Sequence, residues 1–203
     1  LECSYEYQND LIKNVRFVQE ATIKLNCNTW SKSDKVLIFT TKDAFKKNWK
    51  DNGHKNGKTG EYLDRSGLEK CLNDLQYNCH LKQIDIPNGK NETEIWKIFS
   101  IVFDEINQND EIIFDITHAF RSIPMLAMAI LNYSKVIKNV VLKGLYYGAM
   151  EALGSFEDVK KIPIEKRIIP INDLSSFDQL MEWSIGIDQF LKSGNASLVS
   201  KLA

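Results

Sequence analysis

The sequence is short of the features that usually decide a function at sight. Of its 203 residues only three are histidine, four are proline and ten are glycine. With so few histidines, two of them in loop or strand-edge positions, no Ser/His/Asp set can be assembled. There is no Gly-x-Gly-x-x-Gly and no phosphate-loop signature, which speaks against a dinucleotide cofactor; no cofactor is expected. Neither sign of charge predominates, with 26 basic and 27 acidic residues and a net charge of -1. Bulk binding to long nucleic acid needs a strong basic footprint, and a DNA regulator needs a basic helix; both are missing. A small anionic ligand stays open, because a few well-aimed donors suffice for it. No apolar run approaches the roughly 20 residues of a membrane span, and no signal peptide is visible. The expectation is a cytosolic protein without a membrane partner. The cysteines, at 3, 27, 71 and 79, form no Cys-x-x-Cys pair and are read as reduced thiols. Cys71, Cys79 and His80 lack a fourth ligand at any usual spacing, so no metal site is expected.

What is present is a regular alternation of apolar patterns, in a chain whose 43% hydrophobic content suffices for a sizeable core. Leu11, Val15, Val18, Thr22 and Leu25 recur at spacings of three and four, which predicts a helix over about 8–26. The continuous run 35–40 predicts a strand covered on both faces. Residues 43–50 begin a helix, and 51–60, with three glycines beside His54, Lys55 and Lys58, read as a mobile loop. Residues 61–76 read as helix, with Leu63, Leu68, Cys71, Leu72 and Leu75 inward; 80–86 alternates like a strand nearer the sheet edge. Ile95, Phe99, Val102 and Ile106 mark a helix, 111–116 a buried strand, 120–136 a helix and 140–147 another strand. The two prolines and β-branched residues of 162–171 place an antiparallel strand or hairpin at an edge. From Phe177 the tail is helical, with Leu180, Trp183, Ile187 and Leu191 on one stripe. Such alternation predicts an α/β, Rossmann-like, mostly parallel sheet with helices on both faces and a C-terminal helical segment. Because the chain opens at Leu1 on what reads as a helix, a first central strand is expected upstream.

In such sheets ligands sit beyond the carboxyl ends of the strands, and three segments lie there. The richest is Asp115-Ile-Thr-His-Ala-Phe-Arg-Ser122. A turn into a helix presents unpaired N–H groups and the positive end of the dipole. Thr117 and Ser122 add hydroxyls, and His118 and Arg121 add donors suited to phosphate oxygens. Ala119 and Phe120 lie between them, and Asp115 repels an anion, so its expected work is to fix the turn through backbone N–H groups. Pro124 is tolerated in the first helical turn. The structural alternative is that Thr117 caps the helix, His118 is a satisfied histidine and Arg121 a surface charge. Thr40, Thr41 and Lys42 form the second segment, with plain N-capping as the alternative. The third runs from Gly144 to Glu151: Tyr147 and Gly148 allow close approach of a base or ribose, with Glu151 following, unless they are an aromatic strand end and a turn glycine.

Asp115-Ile-Thr-His118 with Arg121 resembles the Asp-x-Thr-His-Gly motif of the CRISPR-associated DxTHG proteins, which carry a CARF domain, a Rossmann-like sensor of cyclic oligoadenylates in type III CRISPR immunity. Arg16–Ala21 looks like that family's first helix, Phe39–Ala44 with Asn48 and Trp49 like the segment after its second strand, and Tyr146–Ala149 with Glu151 like the segment after a later central strand. The resemblance implies a homodimer in which paired copies of Thr117, His118 and Arg121 meet a cyclic oligoadenylate, most simply cyclic tetra-adenylate. Tyr146, Tyr147 or Phe120 would contact adenine. It implies 1–174 as the ligand-binding domain and 175–203 as a helical linker or the start of a HEPN-type ribonuclease domain, which would meet target RNA beyond this chain. It also allows a second reading, a metal-independent ring nuclease with Thr117, His118 and Arg121 as its catalytic candidates. Three departures stand out: Ala119 replaces the usual glycine, the family's opening strand and glycine-containing loop are not seen, and no arginine is followed by a histidine at the spacing of the HEPN motif.

Overall fold

The structure is a computed structural model and describes residues 1–51, 54–63, 65–75, 77–117 and 123–203. Seven strands and eight helices are found among them: β1 (Cys3–Tyr7), β2 (Asp10–Val15), α1 (Val18–Asn26), β3 (Lys35–Thr40), α2 (Lys42–Ala44), α3 (Leu68–Asn73), β4 (His80–Asp85), α4 (Glu92–Glu105), β5 (Glu111–Asp115), α5 (Ile123–Lys138), β6 (Val141–Gly148), α6 (Phe156–Lys161), β7 (Ile168–Asp173), α7 (Ser175–Ser193) and α8 (Ser197–Leu202). A π-helical turn, Phe45–Trp49, continues α2. Three strand pairs are parallel (β1 with β7, β3 with β4, β5 with β6) and two antiparallel (β1 with β2, β6 with β7). This is the mixed, mostly parallel α/β architecture that the alternation of patterns predicts.

The chain divides into two compact units, Leu1–Ile106 with Met150–Pro170, and Asn107–Ala149 with Ile171–Ala203. β7 contributes to both: residues 168–170 pair with β1 and 171–173 with β6, so the hydrogen-bonded order reads β2-β1-β7-β6-β5. The antiparallel strand expected near 162–171 is therefore present, a few residues later and inside the order rather than at its edge.

In the first unit the N-terminal expectation is corrected. Residues 3–15 are a β-hairpin, and the helix begins only at Val18. Tyr7 pairs with Asp10 across the two-residue turn Gln8-Asn9, and Gln8 takes φ 55°. The register shifts between Cys3 and Tyr5, and Asn14 (φ 52°), a residue type that tolerates the left-handed region, sits at the bulge. Leu11 and Val15 only mimic a helical spacing with Val18. The α1 start is fixed by Glu20, whose Oε1 accepts from Arg16 N (3.0 Å) and Phe17 N (2.9 Å), half of a capping box.

β3 and β4 pair in parallel over six positions, Lys35 opposite His80 through Thr40 opposite Asp85. The connection between them carries α2, the π turn and α3. Phe17, Ile23, Cys27, Val36, Trp49, Leu68, Leu72 and Cys79 form this unit's apolar core. The helix expected over 61–76 is confined to α3. Residues 54–63 instead close a short hairpin: Lys55 bridges Tyr62, Leu63 N donates to His54 O (3.0 Å) and Gly60 N to Asn56 O (2.8 Å). The described residues of the loop expected over 51–60 are turn and irregular backbone apart from that single bridge. Gly67, just before α3, permits a close approach, since a Cβ there would lie 2.1 Å from the Trp49 carbonyl oxygen. α4 is capped by Asn91, which accepts from Glu94 N at 2.9 Å, and it buries Ile98 and Val102.

In the second unit β5, α5 and β6 form a β-α-β element with Asp115 opposite Tyr146. Ile130 and Leu131 of α5 and Leu145 of β6 are fully buried. Leu145 is held on both backbone groups by the start of α7: its carbonyl accepts from Leu174 N (2.7 Å) and its N–H donates to Ser175 Oγ (3.1 Å). Lys135 of α5 ion-pairs with Asp178 and, at 2.7 Å, with Glu182 of α7. The far side of α7 stays open, with Leu180 62% and Leu191 77% exposed.

Candidate functional site

The second unit holds the described part of the Asp115–Ser122 segment. Two hydrogen bonds lock the end of β5 to the end of β6, and a third folds the β5 end on itself. Ile116 N donates to Tyr146 O at 3.0 Å. Asp115 Oδ1 accepts from Thr117 N at 2.9 Å, the side-chain turn expected of an aspartate here. Thr117 Oγ1 accepts from the buried N–H of Gly148 at 2.9 Å. Thr117 thus joins two strand ends, and its own hydroxyl proton remains a donor. Tyr147 and Gly148 stand on the last turn of the β6 ladder, opposite Asn172 and Ile171 of β7. His118, Ala119, Phe120, Arg121 and Ser122 lie outside the described residues. α5 starts directly after them, with Pro124 in its first turn as expected.

The first unit holds the other strand-end candidates. Thr40 is buried, its Oγ1 accepts from Gln83 Nε2 at 2.8 Å, and its carbonyl accepts from Ile86 N at 2.9 Å. Thr41 Oγ1 caps α2, accepting from Ala44 N at 3.3 Å. Lys42 is exposed. Gln83 also lines a cleft of about 360 Å³ with Phe45, Trp49, Lys50, Glu69 and Leu81, and an ion pair between Lys50 and Glu69 crosses its wall. Glu151 is exposed on the 3-10 turn Met150–Leu153 of this unit. The thiols are all free. Burial, followed by the neighbouring Cys79, pushes the Cys27 thiol up to about 12, and burial raises Cys79 too. Among the described residues no group of three or more His, Cys, Asp or Glu side chains is arranged to hold a metal.

Sequence reasoning missed one constellation in the first unit. Asp51, with φ 48° and a fully buried carboxylate, sits between the Arg16 guanidinium and the His54 imidazole. Its Oδ1 is 2.6 Å from Nδ1 of His54, and its Oδ2 is 2.5 Å from Nη2 of Arg16. The second contact is out of line for a hydrogen bond, so it acts as charge against charge. Arg16 Nη1 also donates to Ser66 O at 2.5 Å. The only local signal was an Asp and a His three residues apart; the arginine comes from 35 positions earlier.

The class that the fold and strand ends define is an α/β domain with polar residues at the carboxyl ends of parallel strands. No protein-family model matches the chain. The chain is similar to the CRISPR-associated protein MJ1674 of Methanocaldococcus jannaschii, with 37% identity over 120 residues. The match covers 58% of this chain and 17% of that protein. Among the described residues no helix is long and apolar enough to cross a membrane.

Proposed function

We propose that this chain is the ligand-sensing part of a CRISPR-associated defence protein and that its ligand is a cyclic oligoadenylate, cyclic tetra-adenylate being the first choice. Two independent strands of reasoning support it. The relative carries a CRISPR-associated name. The strand end that resembles the DxTHG motif is built as a rigid platform, with Asp115 holding the turn and Thr117 tied to Gly148. The Thr117–Gly148 link is the observation that carries the reading. It braces the strand end from which, in this reading, the segment from His118 to Ser122 leads into α5, and a helix start favours phosphate through its N–H groups and dipole.

In this reading Thr117, His118, Arg121 and Ser122 hold phosphates, Tyr147 and Gly148 face a base or ribose, and two copies of the chain meet around the two-fold ligand, since isologous dimers make symmetric pockets. Residues 1–174 form the sensor and 175–203 lead toward an effector, a HEPN-type ribonuclease being the family's usual output. A shift at the motif would reach α7 by two routes: through β6, which anchors Leu174 and Ser175, and through α5, whose Lys135 grips Asp178 and Glu182. A second reading, slow metal-independent cleavage of the ligand's own phosphodiester, uses the same residues for orientation and charge stabilisation. Calorimetry with cyclic tetra- and hexa-adenylate tests binding, and chromatography of ligand after long incubation separates sensing from cleavage. No heat with either ring refutes the sensor.

A further inference from the structure

We propose that Cys27 and Cys79 form an oxidation site in the first unit, a thiol pair that a peroxide closes into a disulfide. The inference is independent of the cyclic-nucleotide reading. Both cysteines are buried in one apolar core with Phe17, Ile23, Val36 and Leu72, and Tyr77 and Leu81 pack against it. Each stands at the end of an element rather than within one. Cys27 closes the C-terminus of α1, its N–H donating to Ile23 O at 2.8 Å and its carbonyl accepting from Trp30 N at 3.1 Å. Cys79 stands directly before β4, where His80 N donates to Asp34 O at 2.8 Å. The short connection from Cys27 to β3 thus brings the two side chains together. There the Cys27 thiol donates to the Cys79 sulfur. Tyr77, beside them, feels both thiols. Cys71, by contrast, turns its thiol to the Ser66 carbonyl, at 3.9 Å.

The roles of the two sulfurs divide by the direction of that donation. Cys79 receives, holds the larger thiolate share and attacks; Cys27, whose proton is held harder, is the resolving thiol. In the first step the Cys79 sulfur bonds to one peroxide oxygen and the O–O bond breaks. The leaving hydroxide takes up the proton that the thiol gave up and becomes water. In the second step the Cys27 sulfur bonds to the Cys79 sulfur and the S–O bond breaks. The departing hydroxide leaves with the Cys27 proton, again as water. Two thiols lose two electrons in all, and one peroxide is reduced to two waters. Burial raises both thiols, so closure is slow at neutral pH and speeds up as pH rises. The product is correspondingly durable, since the same apolar shell keeps a reducing thiolate away. The link ties the end of α1 to the start of β4, around the stretch that carries β3, α2, the π turn and α3. Oxidation therefore fixes the whole crossover of the first unit.

The test exposes the whole protein to hydrogen peroxide and maps its cysteines by mass spectrometry of the unreduced chain. Expected are a mass lower by two hydrogens and a peptide pair joining Cys27 to Cys79. Two of the four thiols should be lost to a thiol reagent in denaturant, and dithiothreitol should restore them. Closure should run faster in alkaline than in neutral buffer. A cross-link around a loop of about 50 residues should raise the urea midpoint by about 1–2 M. In Cys79→Ser peroxide should leave the midpoint where it was, and Cys27→Ala serves as the same control should that variant not fold. Four free thiols after peroxide, a link through Cys3 or Cys71 instead, or a joined pair with no rise in the midpoint each overturns the proposal.

Discussion

Replacing Lys135 with methionine should be among the most damaging single changes in the second unit, although it removes a charge rather than apolar bulk. The Lys135 side chain is 16% exposed and that of Asp178 only 7%. Asp178 Oδ1 has no hydrogen-bond partner of its own, so the carboxylate depends on the lysine. Breaking one half of a buried ion pair costs about 3–5 kcal/mol, because the other charge stays buried without compensation. With a urea slope of about 2 kcal/mol/M, typical of small proteins, the midpoint should fall by about 1.5–2.5 M. Trp183 on α7 offers a fluorescence probe beside circular dichroism. The same reasoning predicts the reverse for a double change. In Lys135→Met with Asp178→Leu no buried charge is stranded, and stability should return to within about 1 kcal/mol of wild type. Glu182 is 35% exposed and keeps its hydration either way. A single variant within about 0.5 kcal/mol of wild type, the scale of an exposed pair, would refute the reasoning. So would a double variant no better than the single.

Two further outcomes follow from the same structure. Thr117→Val leaves the buried N–H of Gly148 without its acceptor and should cost about 1–3 kcal/mol by urea midpoint, while Thr117→Ser, which keeps the oxygen, should cost far less. The Cys27 thiol is pushed from about 9 to about 12 by burial and then by Cys79. Its stabilising contribution is therefore complete below pH 9 and is lost as pH rises from 9 toward 12. The loss is on the order of 2–4 kcal/mol, and Cys27→Ala should remove that part of the alkaline slope.

The parts legible in the sequence are those where one physical signal acted alone. Continuous apolar runs marked β3, β5 and β6, although no residue of β5 is fully buried. The aspartate turn at Asp115 was also legible, since Asp followed two residues on by its own N–H partner is a local device. The N-terminal hairpin was not. Its turn is Gln8-Asn9 rather than the Asn-Gly that announces such turns, and Leu11, Val15 and Val18 fall by chance at helical spacing across a strand end and a helix start. Residues 61–67 read as helix because Leu63 precedes the apolar series Leu68, Cys71, Leu72 and Leu75, yet Leu63 falls on about the opposite helical face from Leu72, Tyr62 is taken by Lys55 and the Leu63 N–H by His54. At the site, the bond of Thr117 to Gly148 spans 31 positions, and no spacing rule contains it. The constellation of Asp51 and His54 escaped for the same reason, since Arg16, which completes it, is remote in sequence and near only in the fold.

The central claim is that the Asp115–Ser122 strand end holds a cyclic oligoadenylate, and calorimetric titration of the protein with cyclic tetra-adenylate tests it most directly. The account predicts saturable binding at one ring per two chains, weakened at least tenfold by Arg121→Ala, where a charge-assisted phosphate contact worth about 1.5 kcal/mol or more is removed. Absence of heat with both cyclic tetra- and hexa-adenylate, or binding unchanged by Arg121→Ala, would contradict it.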